Sequence, residues 1–158
     1  MRLLDELAYD PWDGTCRDSP GKGGPDRMEP GSKARDVREG TVLLVEDSDV
    51  VRDVVVRMLE AGGFTVLTAS SGEGALSISR EGVQIDLLVT DIVMPEVSGL
   101  ELADRFSEER PGVPILFMTG FSEEAVDGKG ISGGNRGWIL KPFTLEEIVA
   151  RARKILSR

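Results

Sequence analysis

From Thr41 onward the sequence alternates short aliphatic runs with stretches of helical period, and no other feature restricts the fold as strongly. The runs cover residues 42–45, 64–68, 87–90, 114–118 and 138–140, each short enough and apolar enough to be a buried strand. Between the first two, Val51, Val54, Val55, Met58 and Leu59 recur at the spacing of one helical face, with Ser48 placed to cap the start and Gly62-Gly63 to end it. Helices are likewise expected over 73–80, with Ala75, Leu76 and Ile78 inward, and over 100–109, with Leu102 and Phe106 inward. The last follows Thr144, which forms a capping box with Glu147, and buries Leu145, Ile148, Val149, Ala152 and Leu156. Strands alternating with helices predict an α/β domain: a parallel five-stranded sheet covered on both faces, three-layered and doubly wound. Such sheets place their ligands at the carboxyl ends of the strands.

Residues 1–40 follow a different rule. They hold six Gly and four Pro with scattered apolar residues, too few to offset the ordering entropy of a packed core. The expectation is a weakly ordered or disordered N-terminal arm over 1–40 and one folded domain over 41–158. Leu3, Leu4 and Leu7 allow one turn of amphipathic helix in that arm, with a frayed terminus the plainer outcome. The SPGKGG stretch fails as a phosphate loop, since Cys16 stands where its first Gly belongs and Lys22 is followed by Gly23.

Composition excludes several chemistries. The 158 residues contain no histidine, which removes Ser/His/Asp and Cys/His catalysis, HExxH proteases and His-containing zinc sites. The lone cysteine, Cys16, excludes an internal disulfide and is given no role. A net charge of -9 with no basic stripe argues against direct binding of nucleic acid. No run of eighteen apolar residues offers a membrane span, and acidic residues interrupt the N-terminus as a signal peptide. The cytoplasm is the expected location.

The ends of the expected strands carry the chemistry. Glu46 and Asp47 follow the first, Asp91 the third, Thr119 the fourth, and Lys141 with Pro142 the fifth. Each alone is an ordinary loop or cap residue. Together, three carboxylates, a hydroxyl and an ammonium at one sheet edge suggest a hard divalent cation, Mg²⁺, and a phosphoryl group. A carboxylate can attack phosphorus to give an aspartyl phosphate, with catalysis supplied by positioning and charge neutralisation.

The stretches VLLVEDSD (42–49), DLLVTDIVMPEVSGLEL (86–102), ILFMTGFS (115–122) and WILKPFTLEEI (138–148) resemble the receiver domain of two-component response regulators over nearly all of 41–158. The resemblance implies a flavodoxin-like fold with strand order 2-1-3-4-5. It implies that Asp91 accepts the phosphoryl group. Glu46, Asp47, Asp91 and the Val93 carbonyl would hold Mg²⁺, Glu46 through water. Thr119 would be the switch hydroxyl, Lys141 the phosphate-binding lysine in a cis Lys141-Pro142 turn, and Trp138 the switch aromatic. The phosphate would come from a histidine kinase or a histidine phosphotransfer protein, as suits a chain without histidine. The downstream protein target is unknown, and the chain is expected as a monomer or weak dimer.

Several positions depart from the family pattern. Trp138 is bulkier than the usual Tyr or Phe, so core packing competes with a switch role. Val93 and Phe121, both apolar, flank the acceptor where the family tunes hydrolysis, which predicts slow self-dephosphorylation. Five glycines in GKGISGGNRG (128–137) predict that a fourth helix begins at Ser122 or Glu123 and stops near Asp127. With no effector after Arg158, the pattern resembles receivers of hybrid histidine kinases or stand-alone regulators. A rival reading is a phosphohydrolase of the haloacid dehalogenase type with Asp47 as nucleophile, because Asp47-Ser48-Asp49 with Val51 fits that signature. It leaves Asp91 without a role.

Overall fold

Val42, Leu43, Leu44 and Val45 are fully buried, as an apolar run in the middle of a two-sided sheet must be. A computed structural model describes residues 39–120, 122, 126, 131 and 133–157, with the backbone of 9–10 and 15–16. Its contacts separate Met1–Val37 from Arg38–Arg158 as two units. In the first, Tyr9–Asp10 pairs antiparallel with Thr15–Cys16. The leucines expected to form a helical turn and the SPGKGG stretch lie outside the described residues.

The second unit contains β1 (Gly40–Val45), α1 (Asp49–Ala61), β2 (Phe64–Ala69), α2 (Gly72–Ser79), β3 (Leu87–Asp91), α3 (Gly99–Glu109), β4 (Ile115–Thr119), β5 (Arg136–Leu140) and α4 (Leu145–Leu156). The strands pair in parallel in the order β2-β1-β3-β4-β5, the expected 2-1-3-4-5. Of the helix expected to run from Ser122 or Glu123 to near Asp127, the described part is Val126, helical and buried, whose N–H bonds the Ser122 carbonyl at 3.0 Å.

Alternation along each strand divides the core in two. Leu43, Val45, Leu88, Ile115 and Phe117 face Ala75 and Leu76 of α2 and Leu102, Ala103 and Phe106 of α3. Val42, Leu44, Leu87, Val89, Leu116 and Met118 face Val55 and Leu59 of α1 and Ile148, Val149, Ala152 and Ile155 of α4. Each fully buried aliphatic side chain contributes about 1.5–3 kcal/mol. The helices start where side-chain oxygens satisfy free N–H groups: Ser48 caps α1, Ser71 α2, Ser98 α3, and Thr144 with Glu147 forms a capping box on α4.

The inward face expected for α1 is only partly inward. Val55 and Leu59 are buried, but Val54 is 47% exposed; Val50, outside that expected face, is 74% exposed. Together with Val51, Val55, Met58, Lys141, Pro142 and Phe143 they line an open groove of about 440 Å³. Among the described residues, no helix is long and apolar enough to cross a membrane.

Candidate functional site

Strand register brings the expected residues to one edge. Val45 is level with Thr90, so the next residues, Glu46 and Asp91, leave the sheet side by side. Asp91 is level with Met118, and Thr119 with Leu140, which puts Thr119 and Lys141 at the same end. Further hydrogen bonds carry the pairing past the strand ends. The N–H of Glu46 donates to the Ala69 carbonyl at 3.2 Å, that of Ile92 to Met118 at 3.2 Å and that of Lys141 to Thr119 at 2.7 Å.

One carboxylate oxygen from each of Glu46, Asp47 and Asp91 lies within 4.8 Å of the other two. Glu46 is buried, Asp91 half-buried and Asp47 exposed, so the cluster opens to solvent on the Asp47 side. Lys141 Nζ donates to Asp91 Oδ2 at 3.1 Å and to Glu46 Oε2 at 3.3 Å. The other Glu46 oxygen accepts from the Ser48 N–H at 3.2 Å.

The two ionisable groups at the centre respond to this crowding. Burial raises the Glu46 carboxyl above its ordinary range, and the Asp91 charge and a hydrogen bond with Asp47 add to it. Together these outweigh the opposing Ser48 N–H and Lys141 charge. For Lys141, burial disfavours the ammonium, but its bonds to Asp91 and the charges of Asp91 and Glu46 prevail and raise it. The ammonium is firmly charged at neutral pH.

Gly99 explains how α3 can start so close to the end of β3. A Cβ there would sit 2.0 Å from the Asp91 carbonyl oxygen, and the Gly99 N–H donates to the Ile92 carbonyl at 2.8 Å. Thr119 is almost fully buried at the end of β4. Val93, two residues beyond Asp91, is 65% exposed at the site's rim. The Lys141-Pro142 peptide is cis. Trp138 is half-buried, its ring packed against the α2/α3 core with the Arg151 guanidinium 5.8 Å from its centroid. Phe121 lies outside the described residues.

An all-oxygen donor set of three converging carboxylates suits a small hard cation better than zinc or copper. The sequence profile of the response regulator receiver domain matches residues 42–153, most of the chain. The chain belongs to the response regulator receiver domain family. It is 37% identical over 128 residues to the sensor kinase CckA of Brucella abortus, covering 80% of this chain and 14% of that one. It is 36% identical over 115 residues to the response regulator receiver protein CpdR of the same organism, covering 73% of this chain and 95% of that one. Against the transcriptional regulators it matches, it spans about half their length. Its fold superposes on the receiver domain of the hybrid histidine kinase CckA with a TM-score of 0.62 at 32% identity, covering 74% of this chain and 99% of the other. Receiver domains take phosphate from histidine kinases or phosphotransfer proteins, and this chain is such a signalling module.

In the Asp47-Ser48-Asp49 triplet behind the phosphohydrolase alternative, Asp47 belongs to the carboxylate cluster and the other two have local structural roles. Ser48 caps α1, and Asp49 pairs with Arg52 one turn on. The sequence did not single out Arg52 or Gly99; close backbone contact, which no residue pattern announces, is what makes each matter.

Proposed function

We propose that this receiver accepts a phosphoryl group on Asp91 from a phosphohistidine on a partner kinase or phosphotransfer protein. The observation that carries the reading is one ammonium bridging Glu46 and Asp91 inside a cluster of three carboxylates. An Asp91 carboxylate oxygen attacks phosphorus as the phosphorus–nitrogen bond to the donor imidazole breaks, and the nitrogen keeps the electron pair. Lys141 moves its hydrogen bond from the acceptor carboxylate to a phosphoryl oxygen, and the Thr119 hydroxyl bonds another. Glu46, Asp47, Asp91 and the Val93 carbonyl are the residues that would hold Mg²⁺, Glu46 through water. When bound, the ion neutralises charge on the carboxylates and the phosphoryl oxygens.

The groove along α1 begins at Lys141, the residue bonded to Asp91, and its lining is apolar apart from that ammonium. It is the docking surface of the phosphohistidine-bearing partner. Val54→Asp is expected to slow transfer from that partner at least tenfold while leaving labelling by acetyl phosphate intact. After transfer, movement of Thr119 towards the phosphate draws Trp138 inward and changes the surface offered to a downstream protein. The exposed, apolar Val93 beside Asp91 hinders attacking water, giving slow self-dephosphorylation; a phosphorylated lifetime of seconds would contradict it. The chain acts in the cytoplasm, with the receiver as a domain over 41–158.

Acetyl phosphate with Mg²⁺ tests the site directly. Stoichiometric labelling that survives Thr119→Ala in reduced rate and vanishes in Asp91→Asn supports the reading. Continuous turnover that vanishes in Asp47→Asn but survives in Asp91→Asn would replace it with the hydrolase.

A further inference from the structure

Arg52 stands in the first turn of α1, where the partial positive charge of the helix end makes a cation unfavourable. It is nevertheless drawn in, with 18% of its side chain exposed. Its Nη1 donates to the Glu46 carbonyl at 2.8 Å, and its Nη2 pairs with Asp49. The Glu46 carbonyl belongs to the peptide that joins Glu46 to Asp47. The far side of the loop is equally tied: the Glu46 N–H bonds Ala69, and the Glu46 carboxylate accepts from Ser48 and Lys141. A held carbonyl restrains rotation of that peptide, and with it the direction in which Asp47, whose carboxylate lies near those of Glu46 and Asp91, leaves the backbone. A freely turning peptide would swing Asp47 away from the other two carboxylates.

We propose that Arg52 is a positioning residue for the divalent-cation site: by clamping the Glu46 carbonyl it aims Asp47, without itself offering a ligand. Its charge and its geometry pull in opposite directions. As a nearby positive charge Arg52 opposes cation binding, and as a clamp it favours it, so the sign of the effect on removal separates the two roles. Groups that orient metal ligands typically change affinity about tenfold or more when lost. The planar guanidinium, with two nitrogens available on one edge, can bridge the carbonyl and Asp49 at once.

The test is Mg²⁺ titration of the full chain by isothermal calorimetry, in wild type, Arg52→Ala, Arg52→Gln and Arg52→Lys. The inference rests on the divalent-cation reading of the site, and wild type reports on that reading separately. The expected result is a dissociation constant about tenfold higher in Arg52→Ala, with part of the loss recovered in Arg52→Gln, which keeps a neutral donor. With acetyl phosphate, the Mg²⁺ concentration for half-maximal labelling should rise by a similar factor, while the rate at saturating Mg²⁺ falls less. A merely structural role would lower the melting temperature and leave the half-saturating concentration unchanged. An unchanged or lower dissociation constant in Arg52→Ala and Arg52→Gln would overturn the proposal while the site reading stands. Absence of Mg²⁺ binding in wild type would overturn both.

Discussion

At the start of β3, Asp86 accepts from the Thr41 N–H at 2.8 Å and from Gln84 Nε2 at 3.0 Å, and its own N–H returns a bond to the Thr41 carbonyl at 2.8 Å. At the end of the same strand, Asp91 has an oxygen within 4.8 Å of oxygens on two other carboxylates, and it shares the ammonium of Lys141 with Glu46. The residue type is the same, and the two flank the same strand: Asp86 just before β3 and Asp91 at its last position. At the amino end the carboxylate closes the backbone of two neighbouring strands, so its role is complete within the fold. At the carboxyl end negative charge exceeds the positive charge supplied by its ion pair, and that excess favours a cation. Position at a strand end is therefore a weak indicator of function, and the balance of partners around the side chain is a strong one.

Substitutions on the two ends should separate along this line. The largest effect is expected for Gly99→Ala, whose Cβ would lie 2.0 Å from the Asp91 carbonyl oxygen, a backbone atom that cannot yield without moving the end of β3. A loss near the top of the usual overpacking range, about 3 kcal/mol, should appear in urea unfolding, with labelling at Asp91 lowered as well. Unchanged stability would mean that the start of α3 is loosely placed. Next, Asp86→Ala leaves the partly buried Thr41 N–H without its side-chain acceptor and should cost about 1–2 kcal/mol. Labelling by acetyl phosphate at a temperature where the variant is folded should match wild type; a matching loss of labelling would break the comparison.

The smallest effect is a pH dependence. Glu46 is raised by burial first, then by Asp91 and Asp47, from an ordinary value of 4.5. Between 4.5 and the raised folded value, the folded chain holds a proton that the unfolded chain has released. Stability from this group is therefore greatest at the acid end of that window and declines as pH rises through the folded value. Glu46→Gln removes the titration and should flatten that part of the curve of melting temperature against pH. An unaltered slope would place the pH dependence elsewhere.

Much of this was readable from residues alone. The aliphatic runs placed five strands, and Ser48 and the Thr144/Glu147 box placed the starts of α1 and α4. The edges of strands were harder. β5 begins at Arg136, two residues before the apolar run, because Arg136 keeps its charge in a pair with Asp104 at 2.8 Å while its backbone joins the ladder. β4 begins at Ile115 and not at Pro114, since proline has no N–H to donate; its carbonyl still accepts from Leu88 at 3.0 Å. Val54 was expected inward from its spacing, but spacing gives an angle around the helix and not the width of the surface beneath it. For the site, the candidate carboxylates, hydroxyl and lysine were visible as strand-end residues. The clamp by Arg52 depends on a side chain reaching back across six residues to a main-chain carbonyl, and periodicity carries no trace of that.

Of three neighbouring carboxylates, Asp91 is the one proposed to become phosphorylated. Labelling the full chain with acetyl phosphate and Mg²⁺, reducing the acyl phosphate with borohydride and mapping the peptides by mass spectrometry reads the answer residue by residue. The expected result is one reduced side chain per labelled molecule, at position 91. Reduction at position 47, accompanied by continuous consumption of the phosphodonor, would contradict it.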